Sequence, residues 1–290
     1  MPNIMQIYEK IPTFSLSAKQ IVLPLHKIEY KESKNTHKMI SKNRIKYIHS
    51  LEMKKHRKAD GVFVAEGHKL VGDLLGKFQC TYIAATEDWI ESHRSLLGSA
   101  EIDIVTPDEL RRASFQETPQ QVLAIFKQPV YSVNPVEVAS SELVLALDDV
   151  QNPGNLGTIV RLADWFGINH IFCSLGCADI YNPKTVQATM GGIAHVQLHY
   201  VDLPSMLSSL PKETPVYGTF LDGDNFYKKE LTQTGVIVMG NEGKGVSEAV
   251  SKLVTQRLYI PNYPEGTETS ESLNVAIATA IICSEFRRRF

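Results

Sequence analysis

The chain has 290 residues, 43% hydrophobic and 21% charged, with a formal net charge of −2. That length supplies one large or two ordinary domains with a self-sufficient core, and the composition is that of a soluble globular protein. No run of eighteen apolar residues occurs, so no membrane span is expected; the opening segment lacks the basic and apolar regions of a signal peptide, and a cytoplasmic protein is expected.

The near-neutral total hides an asymmetry. Residues 31–58 hold ten Lys/Arg against two Asp/Glu, leaving the rest of the chain net acidic. A basic segment on an acidic body points to a polyanion held at one end, the plain alternative being a solvated helix face. From Ile40 to Lys58, Ile45, Ile48 and Leu51 fit one apolar face of a single basic helix. Strand-like VFVA (62–65), helical HKLVGDLL, strand-like CTYIAA (80–85) and helical TEDWIESHRSLL follow, with Thr86 as a candidate cap. IDIV (102–105) reads as a strand, TPDELRR opens a helix with Pro107 in its first turn, and QVLAIF (121–126) closes the set. Residues 38–127 therefore form a small α/β domain behind an N-terminal extension, 1–37, and Pro- and Ser-rich residues 128–141 read as a linker.

A second α/β series occupies residues 142–290. ELVLALDDV (142–150) is a near-continuous apolar strand of the kind buried on both faces. The helix NLGTIVRLADWFG, the strand HIFCS, the helix NPKTVQATMGG and the strand VQLHYV come next. LPSMLSSL is helical, PVYGTF, GVIVMG and QRLYI are strands, and a helix ends the chain. Such alternation predicts a mostly parallel sheet with helices on both faces. Cys80, Cys173, Cys177 and Cys283 lack CxxC spacing and read as free buried thiols in a reducing compartment, so neither a metal nor a disulfide is expected.

The chemistry concentrates after strands. GNEGKG (240–245) has Val238 where a P-loop needs its first glycine and Gly245 where it needs Ser or Thr. No GxGxxG occurs anywhere, which excludes the usual dinucleotide fingerprint. Three turns share one design: NPGNLG (152–157), GNEGKG, and PNYPEGTETSESLN (261–274) each follow a strand's carboxyl end, the edge where open α/β sheets bind ligands. Together they can line one pocket with backbone groups and few charges, suiting a zwitterionic adenosine compound better than a triphosphate. Asp148 and Asp149 resemble a carboxylate pair, but their adjacency at a strand end favours turn capping.

The segments LDDVQNPGNLGTIVRLADWFG, VIVMGNEGKGVS and LYIPNYPEGTETSESLNVAIATAI resemble, in order, the three motifs of the SpoU branch of the SPOUT methyltransferases. ISKNRIKYIHSL…GVFVAEGHKLVGDLL is similar to that family's N-terminal RNA-binding domain. The resemblance implies a parallel-sheet SPOUT domain with a C-terminal trefoil knot, preceded by the small RNA-binding domain. It also implies S-adenosylmethionine as cofactor, an RNA ribose 2′-hydroxyl as target and a homodimer whose two subunits complete each site.

On that resemblance, Asn155, Arg161, Glu242, Ser272 and Asn274 carry catalysis, and Thr219, Gly240, Gly245, Ile260 and Leu273 hold the cofactor. A guanidinium keeps its proton far above neutral pH, so Arg161 is read as a phosphate clamp that stabilises developing alkoxide, not as a base. Lys54, Lys55, Arg57 and Lys58 are expected on RNA. Ten residues separate Pro261 from Ser272, more than the family's third motif usually holds, and 262–271 receive no role. Ribosomal RNA is the expected substrate, ahead of transfer RNA or a catalytically silent assembly factor.

Overall fold

In the computed structural model, residues 40–264, 267 and 272–290 are described, and they belong to one unit spanning His37–Phe290. The extension expected over residues 1–37 lies outside them. The basic segment forms two helices, not the single one its periodicity predicts: α1 (Lys42–Ser50) and α2 (Lys54–Asp60). Leu51 turns fully into the core, and the chain breaks at Glu52 and Met53. The Arg57 guanidinium takes the Leu51 and Glu52 carbonyls at 2.7 and 2.6 Å, so the broken turn keeps its hydrogen bonds. Gly61, left-handed at φ 61°, ends α2.

Next come β1 (Val62–Glu66), α3 (His68–Leu74), β2 (Cys80–Ala85), α4 (Glu87–His93), β3 (Glu101–Ile104), α5 (Pro107–Ala113) and β4 (Val122–Lys127). Their strands form a mixed sheet in the order β1-β4-β2-β3, antiparallel except for the β2–β3 pair. Thr106 and Glu109 close a full capping box on α5, whereas Thr86 precedes α4 without a side-chain cap. The stretch 128–141 carries a helix of its own, α6 (Pro135–Ser141).

The second half contributes β5 (Leu143–Leu147), α7 (Pro153–Trp165), β6 (His170–Cys173), α8 (Pro183–Thr189), β7 (Gln197–Tyr200) and α9 (Leu203–Ser208). After these come β8 (Val216–Asn225), β9 (Gly235–Met239), α10 (Glu248–Ser251), β10 (Gln256–Tyr259) and α11 (Val275–Arg288). All six strands pair in parallel, in the order β10-β8-β9-β5-β6-β7. β5 and β9 are buried throughout, as their continuous apolar sequences require in a sheet covered on both sides. The connections diverge between them, since the chain leaves β5 for β6 on one side and leaves β9 for β10, beyond β8, on the other. Loops at such a divergence leave a crevice at the carboxyl edge.

One apolar core runs unbroken from Phe63, Trp89 and Phe126 on β1, α4 and β4 to Leu145, Ile159 and Phe286 on β5, α7 and α11. The Phe63 and Tyr181 rings lie 5.1 Å apart across that seam. Among the described residues no helix is long and apolar enough to cross a membrane.

Candidate active site

Helix α7 begins within the first motif. Asn152 is its N-cap, with Oδ1 accepting from the amides of Gly154 (2.8 Å) and Asn155 (3.0 Å), and Pro153 stands at the first helical position. NPGNLG is thus largely the first turn of a helix, and Gly157 serves packing: a Cβ there would lie 2.5 Å from that of Ala188. α8 can approach α7 so closely only because that atom is missing.

Asn155, in that first turn, donates from Nδ2 to Glu242 Oε1 at 2.9 Å and accepts at Oδ1 from Asn274 Nδ2 at 3.0 Å. Asn274 also caps α11, its Oδ1 receiving the amides of Ala276 and Ile277. These bonds fix every amide orientation in turn. Asn274 Oδ1 is committed to backbone donors, so its NH2 faces Asn155, whose own NH2 then faces the carboxylate. Three distant motifs meet in a directed chain, and the positive ends of two long helix dipoles meet with them.

The loop after β9 is built around Asn241. Asn241 and Gly245 exchange backbone hydrogen bonds of 2.9 Å, and Asn241 Oδ1 accepts from the amides of Gly243 and Lys244. Asn241 Nδ2 donates to the Asp149 carbonyl at 2.7 Å, tying this loop to the end of β5. A Cβ on Gly240 would sit 2.3 Å from the Gly245–Val246 backbone, and Gly245 has φ +69°. Both glycines are therefore demanded by the loop's closure on itself. Lys244 is exposed and makes no ion pair among the described residues.

Asp148 and Asp149 act as capping groups, as their adjacency indicates. Asp148, 5% exposed, accepts from the Ser247 amide at 2.7 Å, and Asp149 accepts from the Ser174 hydroxyl at 2.8 Å.

Of the expected cofactor set, Thr219 lies over the end of β9, its hydroxyl 3.4 Å from the Val238 carbonyl. Ile260 packs half-buried on the main core, and Leu273 is 48% exposed beside Asn274. Ser272 is exposed at the margin of the third loop, whose residues 265, 266 and 268–271 lie outside those described.

Arg161 is not drawn into the Asn155 group. It stands six residues along α7, about 9 Å of helical rise, exposed and without a hydrogen bond or ion pair among the described residues. Trp165, one turn further on the same face, is 83% exposed.

The expected RNA-contacting set requires one correction. Lys54, Lys55 and Lys58 are exposed, but Arg57 is 1% exposed and ion-paired to Asp179 at 2.6 Å. It anchors α2 to the second half of the chain and is not available to RNA. Nothing in the sequence marks this, because exposed and buried positions cannot be told apart within KKHRK (54–58). Asn152 and Asn241, which organise two of the loops, lay inside the motifs without a role; an Asn just before Pro at a helix start is the signal for the first. Among the described residues no cluster of His, Cys, Asp or Glu is placed to hold a metal ion.

The SpoU rRNA methylase family model matches residues 142–284, and the model of an MRM3-like substrate binding domain matches residues 42–124. The 23S rRNA (guanosine(2553)-2′-O)-methyltransferase RlmP of Bacillus subtilis is 32% identical over 82% of this chain and 93% of its own. The chain belongs to the SpoU rRNA methylase family. Solved structures agree with this SpoU assignment. A chain assigned to the TrmH family of RNA methyltransferases from Porphyromonas gingivalis is 41% identical, with a TM-score of 0.78 over 87% of this chain and 100% of that one. An AdoMet-bound rRNA methyltransferase from Sinorhizobium meliloti is 29% identical, with a TM-score of 0.73 over 85% and 94%.

Proposed function

We propose that this SpoU protein methylates a ribose 2′-hydroxyl of ribosomal RNA with S-adenosylmethionine. The observation that carries the reading is the Glu242–Asn155–Asn274 chain, which gathers all three motifs at the carboxyl edge where β5 and β9 part. The donor set suits this cofactor: a closed, glycine-dependent loop offers backbone groups, Ile260 and Leu273 offer apolar surface to an adenine, and no triphosphate cradle is present among the described residues. Thr219, Gly240, Gly245, Ile260 and Leu273 hold it, and when bound it supplies an electrophilic methyl on a sulfonium.

This chain's residues do the aligning. Asn155, held in one orientation by Glu242 and Asn274, positions the ribose, and exposed Ser272, two residues before Asn274, assists it. Arg161 clamps the nucleotide phosphate and stabilises the forming alkoxide while keeping its own proton. Its distance from the Asn155 group fits a homodimer in which it serves the second copy's site. Exposed Trp165 on α7 and Ile277 on α11, 83% and 53% accessible, supply apolar surface for that pairing. The C-terminal segment, passing from the edge strand β10 back to α11 against α7, is read as the trefoil knot.

Lys54, Lys55 and Lys58 grip the RNA backbone. Ribosomal RNA is favoured over transfer RNA by the match to an MRM3-like substrate binding domain. The test is transfer of tritiated methyl from S-adenosylmethionine to purified ribosomal and transfer RNA. Incorporation into ribosomal RNA alone is expected; incorporation into transfer RNA alone overturns the substrate, and into neither, the activity.

A further inference from the structure

A cavity of about 550 Å³ lies where the two halves of the chain meet. The first half contributes Glu52, Val64–Glu66 of β1, and Phe115 and Gln116 beyond α5; the second contributes Pro153, Asn182–Lys184 and Val186–Ala188. This is the size range of small-ligand pockets. Its seam is fixed by the Gln116 Nε2 bond to Gln187 Oε1 at 2.9 Å and by the buried Arg57–Asp179 pair. Pro153 is the first residue of α7, so the cavity adjoins the turn that carries Asn155.

The lining has a polarity. Glu66 is 5% exposed, and its carboxylate accepts from the Ser114 hydroxyl and, at 2.9 Å, from the Phe115 amide, which fixes Phe115 and Gln116 in the wall. Glu66, with exposed Glu52, makes the interior hostile to phosphate. Lys184, the one cation of the lining, is exposed. The lining holds one aromatic ring, Phe115, and three side-chain amides; Asn182 is committed to capping α8, which leaves Gln116 and Gln187 to accept and donate, the equipment for stacking a base and reading its edge. A nucleotide fits this arrangement in one direction only, base inward and phosphate outward.

We propose that this cavity receives a nucleobase of the RNA close to the methylated ribose, stacked on Phe115, its edge at Gln116 and Gln187 and its phosphate at Lys184. The proposal rests on an RNA substrate but not on methyl transfer, so photocrosslinking tests it separately. Ribosomal RNA transcribed with 5-iodouridine is irradiated with the full chain, and adducts are mapped by mass spectrometry. An adduct on Phe115 is expected. Gln187→Glu keeps an oxygen to accept from Gln116, so the seam survives, but it removes the donor offered to the base; the Phe115 adduct should fall about tenfold, as expected for one lost hydrogen-bonded base contact, while adducts on the Lys54–Lys58 segment persist. Adducts confined to other surfaces overturn the proposal, as does a Phe115 adduct indifferent to Gln187→Glu. Absence of any adduct or RNA binding overturns the RNA reading and the cavity's role with it.

Discussion

Asn274 donates to Asn155 across 3.0 Å, although 119 positions separate them in the chain. That contact makes the start of α11 part of the same site as the start of α7, and Glu242 completes it from a third loop.

Asn155→Asp should be more damaging than Asn155→Ala. The aspartate sets a second carboxylate against Glu242 Oε1, now 2.9 Å from an amide nitrogen, and offers no donor to it. Methyl transfer should fall about 10²–10³-fold in Asn155→Ala and further in Asn155→Asp, with melting temperatures little changed. Equal losses in the two variants would remove the directed chain from the mechanism.

Arg161→Ala should abolish methyl transfer while S-adenosylmethionine affinity, measured calorimetrically, stays within a few-fold. If Arg161 serves the second copy, mixing this variant with Asn155→Ala should restore part of the activity, because each mixed dimer holds one intact site. No restoration in a demonstrated heterodimer would return Arg161 to its own chain's site.

The buried Arg57–Asp179 pair, with side chains 2% and 15% exposed, yields a contrast with its exposed neighbours. Arg57→Ala strands a carboxylate and two carbonyls and should cost about 3–5 kcal/mol of stability by denaturant unfolding. Replacing Lys54, Lys55 and Lys58 with alanine should leave stability nearly unchanged. It should weaken RNA binding and lower the salt dependence of log K by about 2 for single-stranded contacts. RNA affinity unaltered by the triple change would take this patch out of the interface.

Two glycines separate folding from binding. Gly157→Ala forces a Cβ within 2.5 Å of Ala188 and should cost about 1–3 kcal/mol with cofactor affinity intact. Gly240→Ala instead pries open the loop closed by Gly245 and Val246, and should weaken cofactor binding by about tenfold, roughly 1.4 kcal/mol. Calorimetric titration of both variants, alongside thermal melts, checks the division; cofactor affinity retained in Gly240→Ala contradicts the role given to that loop.

Much of this was legible from sequence, for identifiable reasons. The continuous apolar runs of β5 and β9 announce a parallel sheet, and strand-end loops rich in Asn and Gly announce its binding edge. The meeting of Asn155, Glu242 and Asn274 was accessible only through the family motifs, because local periodicity carries no information about contacts some ninety to 120 residues distant. Two features were not legible. The break at Met53 depends on Arg57 reaching back to the Leu51 and Glu52 carbonyls, a tertiary substitute for helix hydrogen bonds. The cavity at Glu66 and Gln187 depends on how the two sheets meet, which no pattern within either records.

Mapping 2′-O-methyl positions across total RNA from cells with the gene, without it, and carrying only the Asn155→Ala form tests the central assignment most directly. One ribosomal position should lose its methyl in the deletion, regain it with the intact gene and stay bare with the variant. An unchanged ribosomal methylation pattern in all three would contradict it.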